Sequence, residues 1–124
     1  MHSNESSENY LEAILVLSQR LPVVRSIDIA NYLNFSKPSV SVAMKNLRTK
    51  AMIEMSDAGF ITLTDAGREI AETIYERHTF LSQWLIELGV DEKIAVDDAC
   101  RLEHQISKES FQAIKDYVNG RKEH

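Results

Sequence analysis

Cysteine, proline and glycine are all scarce in this chain of 124 residues, which has one, two and four of them respectively. A single cysteine rules out an intrachain disulfide. Together with the polar start Met1-His2-Ser3-Asn4-Glu5, which has no signal-peptide core, it predicts a reducing, cytoplasmic setting. So few turn formers argue against a loop-rich or β-sandwich architecture. No apolar run approaches the ~20 residues that span a bilayer, so no membrane partner is expected. Internal repeats and low-complexity segments are missing. There is no phosphate-binding loop, zinc-finger spacing or nucleophile elbow. Basic residues are outnumbered, 14 against 19 acidic, and the net charge of −5 excludes a protein that coats nucleic acid indiscriminately.

What remains is a chain that is 44% hydrophobic, enough for a core, with its charge unevenly spread. From Gln19 to Ile53 the charged residues are Arg20, Arg25, Lys37, Lys45, Arg48 and Lys50, with Asp28 as the only acid. From Ala71 to His124 acids prevail. A basic segment inside an acidic chain is a local electrostatic footprint.

Hydrophobic periodicity and capping residues set the expected elements. Tyr10, Leu11, Ile14, Leu15 and Leu17 form a helical stripe over Glu8 to Leu17, with Ser6 or Ser7 as cap and Pro22 as terminator. Ser26 is expected to cap a short helix, Ile27 to Leu33. After the turn Asn34-Phe35-Ser36, Ser36 caps a third helix from Pro38 to about Lys50. Met52-Ile53-Glu54-Met55 and Phe60-Ile61-Thr62-Leu63 flank a Gly-containing turn and predict a β-hairpin. Thr64 caps a long helix, about 65–88, stopped by Gly89. Asp91 starts a fifth helix, and Ser107 a sixth that ends near Gly120.

Helix, helix, turn, helix, hairpin is the order of a winged helix-turn-helix. The expected fold is therefore mainly α with a small β-hairpin wing. Residues 1–64 form the winged helix-turn-helix, and residues 65–124 a second helical domain. The third helix would enter the major groove of double-stranded DNA. It carries Lys37, Pro38, Ser39, Ser41, Lys45, Asn46 and Arg48 with no acid between Lys37 and Lys50. Serine and asparagine read base edges, while lysine and arginine hold phosphates. Val40, Ala43, Met44 and Leu47 would face inward onto Ile29, Ala30 and Leu33.

In the fifth helix Cys100, Glu103 and His104 fall at i, i+3 and i+4, one face of a helix. Thiolate, carboxylate and imidazole converging there suit a divalent transition metal. A lone cysteine also suits core packing, and the spacing alone leaves both readings open.

The chain resembles the metal-dependent repressors of the diphtheria-toxin-repressor class over nearly its whole length. The resemblance rests on Glu8-Asn9-Tyr10-Leu11-Glu12, Ser36-Lys37-Pro38-Ser39-Val40-Ser41, Leu63-Thr64-Asp65-Ala66-Gly67, Arg77-His78, Leu88-Gly89-Val90-Asp91 and Ala99-Cys100-Arg101-Leu102-Glu103-His104. It implies a homodimer that binds a palindromic operator when loaded with metal. It implies the short form of the family, without the SH3-like domain of the long iron regulators. It assigns the second domain, 65–124, to metal binding and dimerisation. By this resemblance the metal positions fall on Asn9, Glu12, His78, Cys100, Glu103 and His104, and Ser36 joins the groove contacts.

Asn9 departs from both branches of the family, which have methionine or aspartate there. Ser82 and Val96 occupy two positions of the iron regulators' ancillary site, which looks dismantled. Val42 replaces a base-reading glutamine. The thiolate favours iron(II), with manganese(II) second. Ile94, Leu102, Ile106, Phe111, Ile114 and Val118 are expected at the dimer surface. Two alternatives stay open: a winged-helix regulator that no longer responds to metal, which Asn9 favours, and a metalloenzyme, which lacks a dedicated nucleophile.

Overall fold

The computed structural model describes residues 2–122, which form six helices and one hairpin. The helices are α1 (His2–Arg20), α2 (Ser26–Leu33), α3 (Lys37–Thr49), α4 (Asp65–Glu87), α5 (Glu92–Leu102) and α6 (Lys108–Lys122). The strands β1 (Ile53–Met55) and β2 (Ile61–Leu63) lie between α3 and α4. The expected fold class holds: mostly helical, with an antiparallel two-stranded wing. Two compact units divide the chain, one up to Thr73 and one from Ile74, with the division inside α4.

Local chemistry sets most of these boundaries. At α3 the Ser36 hydroxyl accepts the Ser39 amide (3.3 Å), and Pro38 sits in the first turn, where its missing N–H costs nothing. Asn34 adopts the left-handed conformation that closes α2, a role its short side chain tolerates. Thr64 caps α4 by accepting from the Gly67 amide (3.2 Å), and Asp91 caps α5 by accepting from Lys93 (3.2 Å). Ser107 does the same for α6 through Ser110 (3.0 Å).

Several boundaries differ from the sequence reading. The first helix starts at His2, so Ser6 and Ser7 lie inside it. The second is entered through Arg25, whose amide donates to the Asp28 carboxylate (2.9 Å), so Ser26 is the first helical residue and not the cap. The last runs through Gly120 to Lys122, because one glycine costs a helix only about 1 kcal/mol.

The first unit packs around α1. Leu11 and Ile14 meet Ile29 of α2, Val40, Met44 and Leu47 of α3, and Ile53 and Ile61 of the wing in one buried cluster. Each such side chain contributes about 1.5–3 kcal/mol on burial. The inward face expected for the third helix is correct. The hairpin alternates as a half-buried sheet should: Ile53 and Ile61 point in, while Glu54 and Thr62 point out. The Ile61 amide donates to the Val24 carbonyl (2.8 Å) and ties the wing to the segment before α2. Exposed wing residues include Glu54 and Asp57, and the wing carries no lysine or arginine.

Gly67 makes the tightest approach in this unit. A Cβ on it would lie 2.0 Å from the Met52 carbonyl oxygen, which accepts the Thr64 amide (3.1 Å). Only glycine lets the start of α4 sit this close to the chain entering β1.

The second unit is built from the later part of α4 with α5 and α6. Leu81, Ala99 and Phe111 form its core, with Phe80, Trp84 and Ile106 packed against them. Phe80 meets Phe111 edge to face at 5.6 Å. This corrects part of the expected dimer surface: Phe111 is 5% exposed, Val118 is buried and Ile106 packs onto the core. An amphipathic stripe looks the same whether it faces its own core or a partner. Of the residues expected at that surface, Ile94 (55%) and Leu102 (40%) are well exposed.

Candidate metal centre

Glu103 is the most informative residue in the second unit, because its carboxyl group is buried with 0% exposure. It follows the last residue of α5, its amide still bonded to the Ala99 carbonyl (2.9 Å). His104 lies in the turn that leads to α6. The expected single helical face is thus interrupted: Cys100 is in the last turn of α5 with its thiol exposed, while Glu103 turns inward. The core-packing alternative for Cys100 falls with that exposure.

Two histidines flank the buried carboxylate. Nδ1 of His78, a half-buried residue of α4, lies 2.9 Å from Oε2. Nε2 of His104, whose side chain is buried, lies 3.3 Å from Oε1. Among the described residues no hydrogen-bond donor serves Oε1, which has no accessible surface. A buried carboxylate oxygen left without a donor costs about 1–3 kcal/mol, more when ionised. A bound cation removes that cost. With one imidazole nitrogen close to each carboxylate oxygen, His78, Glu103 and His104 present donors that would hold a divalent ion. Carboxylate oxygen suits manganese, and imidazole nitrogen suits iron, nickel, copper and zinc.

The other expected ligands lie on the first helix: Asn9 and Glu12 are both half-buried in α1, three residues apart. Ser82 is buried in α4 and Val96 is exposed on α5, and neither brings a strong metal donor. Sequence reasoning used Arg77 only as part of the motif Arg77-His78 and gave it no contact of its own. Its guanidinium donates to the main-chain carbonyls of Glu103 (3.0 Å) and Ile106 (3.1 Å). No sequence signal could have found this, since every residue has a carbonyl.

The expected groove contacts are surface residues of the first unit. Lys37, Pro38, Ser39, Ser41, Lys45 and Arg48 are all exposed on α3, as is Val42. Ser36 is exposed too, but its hydroxyl is already engaged, donating to Ser39 Oγ (2.8 Å) while capping the helix. Tyr10 of α1 packs edge to face on Phe35 (5.8 Å) just before that cap, and burial raises its phenol pKa above the usual range.

A winged helix-turn-helix followed by a helical unit with a buried histidine–carboxylate site defines a class of metal-regulated DNA-binding proteins. Two family models match the chain in succession. Residues 2–61 match the N-terminal DNA-binding domain of iron-dependent repressors, and residues 64–124 match their metal-binding and dimerisation domain. The transcriptional regulator MntR of Escherichia coli O6:H1 is 34% identical over 114 residues, covering 92% of this chain and 74% of that one. An uncharacterised helix-turn-helix regulator of Methanocaldococcus jannaschii is 32% identical over 117 residues, covering 93% and 94%. A manganese-dependent transcriptional repressor solved in complex with manganese superposes with a TM-score of 0.80 at 28% identity. The match covers 92% of this chain but spans only about half, 52%, of the solved one. This chain belongs to the iron-dependent repressor family of metal-dependent transcriptional regulators, which are not enzymes.

Proposed function

We propose that this chain is a manganese-responsive repressor that binds a palindromic operator in the cytoplasm as a metal-loaded homodimer. The observation that carries the reading is the Glu103 carboxylate, buried between His78 and His104 with one oxygen lacking a donor. The donors nearest one another are oxygen and nitrogen. That moves manganese(II) ahead of the iron(II) that the thiolate alone favoured. Solved relatives described as a manganese regulator and a manganese-dependent repressor support the same choice.

In this reading His78, Glu103, His104 and Cys100 supply ligands from the second unit, and Glu12 and Asn9 supply oxygens from the first. Holding both sets fixes the DNA-binding unit relative to the dimer. The two α3 helices then present Pro38, Ser39 and Ser41 to base edges about 34 Å apart, while Lys37, Lys45 and Arg48 hold phosphates and Ser36 sets the start of the helix. These residues would hold a divalent ion whose charge offsets their carboxylates, and its binding would raise the fraction of dimers with the productive spacing. The exposed Ile94 and Leu102 belong to the dimer contact.

The test is a DNA-binding titration at one salt concentration, using a duplex selected from a random pool by the manganese-loaded full chain. Manganese should tighten binding and a chelator should weaken it. Equal affinity in both would instead support the metal-independent regulator, which the neutral Asn9 favours.

A further inference from the structure

We propose that Arg77 is a positioning residue of the metal centre, holding Glu103 in place through the main chain and not through its carboxylate. The proposal rests on the metal reading of His78, Glu103 and His104. Arg77 immediately precedes His78 on α4, yet among the described residues its guanidinium makes no bond to a carboxylate. Instead Nη1 bridges two carbonyls on either side of the turn out of α5, those of Glu103 and Ile106.

The rest of the side chain explains why this bridge is rigid. The guanidinium carbon lies 5.6 Å from the centre of the Phe111 ring, a cation–π contact with a core residue of α6. Nε is buried and, among the described residues, has no hydrogen-bond partner. Leaving a buried donor unpaired costs free energy, so Nε is not what places the side chain; the two carbonyl bonds and the ring are. One side chain therefore joins three elements, α4, the α5–α6 turn and α6.

The consequence for the site is geometric. Glu103 keeps one last helical bond, to the Ala99 carbonyl (2.9 Å), but its own carbonyl lies beyond the end of α5, and Arg77 holds that carbonyl and the one of Ile106. The same residue that closes the turn is the neighbour of His78, so one rigid segment sets the separation between the His78 imidazole and the Glu103 carboxylate. Outer groups that orient ligands in this way are typically worth 10–100-fold in metal affinity. Charge is not the means, because the bonds end on neutral carbonyls.

The experiment compares the full chain with Arg77→Met and Arg77→Lys. Methionine keeps an apolar stem against Phe111 and removes every donor. Lysine keeps the charge, but its nitrogen falls about one bond short of the bridging position. Manganese(II) is titrated calorimetrically at 10 °C, and cobalt(II) is used as a probe of ligand geometry through its visible spectrum. Thermal unfolding without metal is measured alongside. The expected result is a 10–100-fold loss of manganese affinity in Arg77→Met with a shifted cobalt spectrum, and a loss in Arg77→Lys despite the retained charge. A lowered unfolding midpoint with wild-type affinity and spectrum would assign Arg77 to fold stability alone and overturn the proposal. If Arg77→Met does not fold, Arg77→Lys decides: reduced affinity supports the positioning role and wild-type affinity overturns it. Glu103→Gln separates the two levels of inference. Loss of manganese binding there upholds the metal centre on which the proposal rests, whereas undiminished binding removes that centre and the role of Arg77 with it.

Discussion

Replacing Gly67 with alanine should destabilise the first unit, although intrinsic propensity predicts the opposite. In a helix interior alanine is better than glycine by about 1 kcal/mol. Here the added Cβ would lie 2.0 Å from the Met52 carbonyl oxygen and 3.0 Å from its carbonyl carbon. An ordinary carbon–oxygen contact is more than 1 Å longer, and the atom in the way is backbone, which no rotamer change can move. Either the start of α4 or the chain entering β1 must shift. Overpacking of this kind typically costs about 1–3 kcal/mol. The shift also strains the Thr64 amide bond to the same carbonyl, worth about 0.5–1.5 kcal/mol. The Thr64 hydroxyl is caught in the same junction, since it donates to the Ala51 carbonyl (2.7 Å) while capping α4. After subtracting the propensity gain, the net loss is about 1–3 kcal/mol. For a chain of this size that lowers the unfolding midpoint by roughly 4–12 °C. Calorimetry of the metal-free protein reads it directly. A midpoint equal to or above that of the wild type would show that the junction yields without cost and refute the steric argument.

Ala51 adopts a left-handed conformation (φ 61°) after α3, so Ala51→Gly should raise stability by about 0.5–1 kcal/mol, the strain relieved less the extra freedom of the unfolded chain. Urea unfolding monitored by circular dichroism checks it. Cys100→Ser should leave the metal-free midpoint within about 1 °C, because the thiol is exposed, while weakening cobalt(II) binding and removing sulfur-to-metal charge-transfer absorption. Unaltered cobalt binding would remove Cys100 from the ligand set. Asn9→Asp should strengthen manganese binding and the manganese dependence of operator affinity, since a carboxylate brings charge that an amide lacks. Calorimetric titration of both proteins compares them, and equal affinities would count against Asn9 facing the ion.

Local signals carried most of the fold. Ser36 and Thr64 cap the helices they were expected to cap, and Asp91 and Ser107, expected to start theirs, do so as caps, because a cap depends only on the residue and the next three amides. Where the sequence offered competing caps, as at Ser6, Ser7 and Ser26, neighbours decided otherwise. The site was legible in part: the spacing of Glu103 and His104 brought both to one place, but it could not say that α5 ends at Leu102 or that Cys100 would face outward. The dimer stripe was misread at Phe111 and Val118 because periodicity marks an apolar face without saying what covers it. Arg77 was invisible for a deeper reason, since its partners are main-chain atoms.

The acidic wing has a consequence for how a repressor of this kind searches a chromosome. On the proposed reading the exposed Glu54 and Asp57 would disfavour phosphates at the hairpin, and the cationic grip would fall to Lys37, Lys45 and Arg48. Three phosphates neutralised per copy would make about six per dimer, and counterion release would then give log K a slope of roughly −5 against log salt. One copy alone has half that slope and too little electrostatic attraction to linger on random sequence. On that reading residence on DNA would depend on two copies engaging together, and an unpaired or misaligned copy would be quick to let go.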